Sequence, residues 1–139
     1  MFRFAFVMVV CIFLFFPNVA RAAGKDMEIK IGKHTFSAAL ADNETAKAFG
    51  ERLPMTLDMS ELNGNEKYCY LDQSLPSAPE RVGKIRAGDI MLYGDSCVVI
   101  FYKSFSTSYS YTRIGRIEDT SALESAVSKG GVAVNFSRK

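Results

Sequence analysis

The sequence predicts a mainly β domain, a closed barrel of about eight strands with two short capping helices, and three observations carry that expectation. Short runs alternating apolar and polar residues recur from Met27 to the C-terminus, the pattern of half-buried strands. Turn pairs such as Gly32-Lys33, Asn63-Gly64 and Gly94-Asp95 punctuate them. Only two segments carry helix signals. Many short strands in so small a chain favour closure, because closing a sheet removes its unpaired edges.

The elements follow in order. Met27-Glu28-Ile29-Lys30-Ile31 alternates strictly, and Gly32-Lys33 turns it into a second strand, His34 to Leu40. Asp42 or Asn43 caps a helix that runs through Leu53 and is stopped by Pro54, with Ala46, Phe49 and Leu53 on one face. Met55 to Met59 is a short strand, and Asn63-Gly64 turns the chain toward another, Lys67 to Leu71. Residues 72–84, with two prolines and few large apolar groups, read as the longest irregular loop. Gly88-Asp89 opens the strand Ile90 to Tyr93, and Gly94-Asp95 leads into Cys97 to Tyr102, the most apolar strand and the expected centre of the sheet. A long segment, Ser104 to Glu118, follows. Ser121-Ala122-Leu123-Glu124 has the capping-box pattern for a second helix, ended by Gly130-Gly131, and Val132 to Phe136 closes the chain as a strand.

Residues 1–22 read as a secretory signal peptide. Arg3 supplies the positive start, Phe4 to Phe16 an unbroken apolar run, Pro17-Asn18 the break, and Ala20-Arg21-Ala22 the small-x-small cleavage pattern. The run falls short of the roughly 20 apolar residues that span a bilayer. The expected product is an exported protein, periplasmic or secreted, comprising one domain over residues 23–139 and no stable membrane anchor; an uncleaved anchor is the alternative. Cys11 sits inside the apolar run with no small residue just before it, so lipidation is not expected. The chain has 17 Lys+Arg and 15 Asp+Glu; removing Arg3 and Arg21 leaves 15 of each, a neutral domain without the basic face of a nucleic-acid binder.

Three segments, LNGNEKYCYL (62–71), GDIMLYG (88–94) and FYKSFSTSYSYTRIGRI (101–117), resemble a bacterial family of small cyclophilin-like proteins, and the resemblance extends over nearly all of residues 23–139. It implies an eight-stranded barrel closed by two helices, in agreement with the strand reading. Some relatives are joined to or labelled as flavodoxins. The chain departs from the prolyl isomerases of this fold: it has no stretch like FHRVIPGFMIQGGD, no Trp and one His. The resemblance therefore carries the fold and no catalytic residue.

The residues that could carry chemistry are few. No metal site is expected, since His34 stands alone at a hairpin and no close pair of ligands accompanies it. The serines at 104, 106, 108 and 110 lack a nucleophile-elbow context. Asp58, Glu61 and Glu66 cluster around Asn63-Gly64 and read as a solvated turn rather than a carboxylate pair. No Gly-rich loop leads into a helix, so neither a phosphate loop nor a flavin or other cofactor is expected. Cys69 and Cys97, in an oxidising compartment, are either a disulfide or two buried thiols. A bond would close a loop of about 29 residues and stabilise by about 3–4 kcal/mol.

Phe105-Ser106-Thr107-Ser108-Tyr109-Ser110-Tyr111-Thr112-Arg113 is the most unusual segment. Extended, it sets Phe105, Thr107, Tyr109, Tyr111 and Arg113 on one face and small hydroxyls on the other. Such a row suits a groove for a peptide or small planar ligand, rings giving apolar area and Arg113 donating to a carbonyl or carboxylate. The same row also suits plain cover for a barrel face. The function expected is therefore a peptide- or small-ligand-binding module with Phe105, Tyr109, Tyr111 and Arg113 at its site. The alternative is a divergent peptidyl-prolyl isomerase, a reaction that needs no nucleophile or metal, with Arg113 as donor to the prolyl nitrogen.

Overall fold

A computed structural model describes residues 26–128 and 130–139. The signal peptide expected over residues 1–22 lies outside them. Strands β1 (Met27–Ile31) and β2 (His34–Leu40) form the N-terminal hairpin. Helix α1 (Glu44–Glu51) follows, then β3 (Met55–Leu62) and β4 (Glu66–Tyr70). Two short strands, β5 (Glu80–Arg81) and β6 (Lys84–Ile85), precede β7 (Asp89–Tyr93) and β8 (Cys97–Phe101). The chain ends with β9 (Phe105–Ser106), β10 (Ser110–Ile117), helix α2 (Leu123–Val127) and β11 (Val132–Arg138).

Eight of these strands close on themselves in the order β2-β1-β11-β3-β4-β8-β7-β10, and β10 pairs back to β2. Every pairing is antiparallel. The period-2 pattern sets the core. Met27, Ile29 and Ile31 of β1, Ile90 and Leu92 of β7, Val98 and Ile100 of β8, and Val134 and Phe136 of β11 fill the interior. Strand β8 lies between β4 and β7, and all five of its residues are buried, as its composition predicted.

Two features close the barrel. Strand β10 slips register between Arg113 and Gly115, so Ile114 and Ile117, of opposite parity, both reach the core. Gly115 sits where β10 meets β7 and β2 together, opposite Ile90 and Leu40, and a Cβ there would collide with the backbone carbonyl of Ala39. The helices cover opposite ends. Phe49 of α1 packs edge-on against Phe136 near the end of β11 (centroids 5.4 Å apart), whereas α2 leads into the start of that strand.

Asn43 caps α1 as expected, accepting a hydrogen bond from the Ala46 N–H at 2.7 Å, but the helix ends at Glu51, with Arg52 as its C-cap, rather than at Leu53. The capping box expected at Ser121 is not formed. Ala122 occupies the N-cap position without a side-chain bond, and the Ser121 N–H donates to Asp119 Oδ1, because the chain makes a turn before the helix begins. The long loop is also less irregular than its composition suggests: β5 pairs with β10, β6 with β9, and Leu75 is buried in the core.

Candidate functional site: an aromatic outer face

Alternation that points one set of residues inward must point its complement outward. Outside β4-β8-β7-β10 that complement is unusually aromatic. Register sets Tyr70, Cys97 and Tyr93 in one row across β4, β8 and β7, and Tyr68, Val99, Met91 and Arg113 in the next. Glu66 and Phe101 begin the third. The small β6–β9 ribbon folds over part of this face, so Ile85, Met91, Cys97, Val99, Phe101 and Tyr111 make a second apolar cluster outside the barrel, flanked by Tyr68, Val82 and Phe105. Where the ribbon stops, ring surface remains open: Tyr70 is 65%, Tyr93 47% and Tyr109 63% exposed. Ring contacts link Tyr109 to Tyr93 (6.3 Å), Tyr93 to Tyr111 (5.7 Å), Tyr111 to Phe101 (5.6 Å) and Phe101 to Phe105 (5.6 Å).

The predicted site residues divide. Phe105, Tyr109 and Tyr111 come together, but not as one extended row: the backbone leaves strand geometry over residues 107–109, which lets Phe105 fold onto Phe101 and Tyr111 insert beneath Tyr93. Tyr111 is buried cover, whereas Tyr109 is open surface. Arg113 is drawn to Glu80 on β5, its Nε donating to Oε1 at 3.3 Å. The cysteines are both free. Cys69 pairs with Val98 and faces the core, whereas Cys97 pairs with Tyr70 and faces out, so the two project from opposite faces of the sheet and a disulfide between them is not formed. Among the described residues no group of His, Cys, Asp and Glu has the arrangement of a metal site.

Two residues escaped the sequence reading. Glu66 and Glu61 flank the Asn63-Gly64 turn, and they are not the solvated pair expected there. Glu61 forms an ion pair with Lys67, its Oε2 2.6 Å from Nζ, while its Oε1 accepts from the Tyr102 hydroxyl (2.6 Å) and the Gly64 N–H (2.9 Å). Burial alone would push Glu61 up, but those partners together hold its carboxyl below the ordinary value of 4.5. Lys67 is wholly buried and also donates to the carbonyls of Ser128 and Gly130. Glu66 points the other way, onto the aromatic face, with 9% exposure. Burial, helped by the nearby Glu61 charge, raises its carboxyl above 4.5. The parity of Glu66 with Tyr68 and Tyr70 in EKYCY was the available signal.

Burial also pushes the Tyr111 phenol up to about 12, with Glu66, Tyr93 and Tyr109 adding to it. It raises the Cys97 thiol too, again with Glu66 contributing, so Cys97 is a neutral thiol rather than a thiolate at neutral pH. The face thus offers ring surface and one carboxyl. A wide groove of about 1680 Å³ lies elsewhere, beside α1. Its polar walls are engaged internally: Asn43 caps α1 and donates to the Arg113 carbonyl, Thr112 accepts from the Ala78 N–H, and Thr45 donates to the Pro76 carbonyl.

Comparison with known proteins agrees with this architecture. No curated protein matches the sequence. Among solved structures, McbB in complex with tryptophan is similar at 17% identity and a TM-score of 0.64, covering 81% of this chain and 44% of McbB, so the chain spans less than half the length of that protein. The hypothetical protein AF2241 from Archaeoglobus fulgidus is similar at 17% identity and a TM-score of 0.55, over 87% of this chain and 99% of its own. The profile of the cyclophilin-like family matches residues 29–137, nearly the whole barrel from β1 to β11. The chain belongs to the cyclophilin-like family.

Proposed function

We propose that this chain is an exported ligand-binding module whose ligand, a small planar molecule or an extended peptide, lies against Tyr70, Tyr93 and Tyr109. One observation carries the reading: three tyrosines with open rings gather on a face floored by a second apolar cluster. Isolated exposed rings are ordinary, but a contiguous aromatic patch over a rigid sheet is the surface that flat ligands and peptide side chains use. Tyrosine suits the task, since it offers large area at little entropic cost and keeps a hydroxyl at the rim.

Export is supported by residues 1–22 alone, and mature protein recovered from outside the cytoplasm is expected to begin at Ala23. Because McbB was solved with tryptophan, indoles are natural first probes. Binding is tested by titrating the purified protein with indoles and short aromatic peptides, following tyrosine fluorescence and amide shifts. Shifts are expected to cluster on β4, β7, β8 and β10, and Tyr93→Ala with Tyr109→Ala to weaken binding about tenfold or more, the equivalent of about 1.4 kcal/mol. Shifts confined to other faces, or affinity unchanged in the double variant, would remove this reading.

A further inference from the structure

The aromatic face has a charge that nothing in the described protein answers. Glu66 as a residue is nine-tenths buried, and its carboxyl makes no hydrogen bond or ion pair among the described residues. Four cations of β4, β10 and the loop after β8 are engaged elsewhere. Lys67, the next residue, points to the opposite side of β4 and pairs with Glu61. Arg113 pairs with Glu80, Arg116 lies 3.9 Å from Asp89, and Lys103 lies 3.3 Å from Glu124. A carboxylate withdrawn from water without a partner is unfavourable unless something else supplies the counter-charge. Phe101 faces it from β8 and Tyr68 follows on the same face of β4, and ring faces carry partial negative charge that attracts cations. Burial is the main cause that raises the Cys97 thiol and the Tyr111 phenol, and the Glu66 charge adds to both.

We propose that the site selects a small aromatic amine, the Glu66 carboxylate taking the ammonium group while the tyrosine rings take the aromatic portion. The inference rests on the reading of this face as a ligand site and adds the ligand's charge to it. The ammonium occupies the position that no protein cation fills. A neutral ring leaves the carboxylate unmatched, and an anionic ligand meets Glu66 with Glu61 close behind it.

The test compares three indoles of nearly equal size: tryptamine, which carries an ammonium, neutral tryptophol, and anionic indole-3-acetate. Each is titrated calorimetrically into the full chain. Tryptamine is expected to bind about tenfold or more tighter than tryptophol, with indole-3-acetate weakest, as a charge-assisted contact requires. Glu66→Gln is expected to bring tryptamine and tryptophol to within about twofold of each other while leaving tryptophol unchanged, and Glu66→Asp to retain the preference. Equal binding of all three indoles, or a preference that survives Glu66→Gln, overturns the inference and leaves the aromatic site standing. Failure of every indole and aromatic peptide to bind removes the site itself, and the inference with it.

Discussion

Neighbouring residues of β4 show how far one position can move a side chain's chemistry. Lys67 and Glu66 are consecutive, so the strand sends them to opposite faces. Lys67 enters the barrel, where Glu61 and two carbonyls satisfy it. Replacing it by Ala leaves Glu61 charged beside a void, and Lys67→Ala is expected to cost about 3–5 kcal/mol, read from the denaturant midpoint. The pair's acid dependence follows from the lowered Glu61 carboxyl: its contribution is complete above pH 4.5 and is lost as pH falls through the lower value in the folded protein. Glu66 has the opposite sign. Its raised carboxyl favours the folded state below pH 4.5 and disfavours it once the group ionises. Glu66→Gln is therefore expected to stabilise near neutrality, the difference fading below pH 4.5, the signature of a residue kept at some cost to stability.

At the scale of elements, the seam between β10 and β2 turns an open sheet into a barrel. Gly115 permits it by close approach rather than by unusual backbone dihedrals, since a Cβ would meet the carbonyl of Ala39. Gly115→Ala is expected to destabilise by about 1–3 kcal/mol, with amide-exchange protection falling first along β2 and β10. If exchange at that seam is unchanged, the close approach is not what Gly115 supplies. The β6–β9 ribbon is the other decisive element. It has only two residues per strand, Lys84 with Ser106 and Ile85 with Phe105, yet it buries the second cluster and sets the border between covered and open rings. Phe105 was expected at the site because of its aromatic neighbours, but its place as a cover over Phe101 depends on a break in the strand at residues 107–109 that periodicity could not show.

For the whole molecule, the two phenols raised furthest set its alkaline limit. Burial, then the hydrogen bond to Glu61, pushes Tyr102 up to about 12, and burial does the same for Tyr111. Both folded values lie above the ordinary 10.0, so the stability they contribute is complete below pH 10.0 and is lost as pH rises toward about 12. Tyrosinate absorbance is expected to show Tyr102 and Tyr111 titrating latest of the six tyrosines, and the Tyr102→Phe, Tyr111→Phe double variant to lose stability less steeply in that range.

The eight-stranded barrel, its two helices and the central β8 were legible in the sequence, because each rests on local signals, alternation along a strand and turn pairs. The α1 cap was narrowed to Asp42 or Asn43 and settled on Asn43 by its bond to Ala46. Parity could likewise assign Cys69 to the interior. Only the tertiary structure decided what lies across from what. Register put Cys97 on the face opposite Cys69, closed β10 onto β2, drew Arg113 to Glu80, and brought Glu66 from the edge of an apparent polar turn to the border of an aromatic face. The physical reason is that a side chain's periodicity is fixed by its own strand, whereas its partners are fixed by strands far along the chain, as Met27 on β1 facing Arg138 on β11 illustrates.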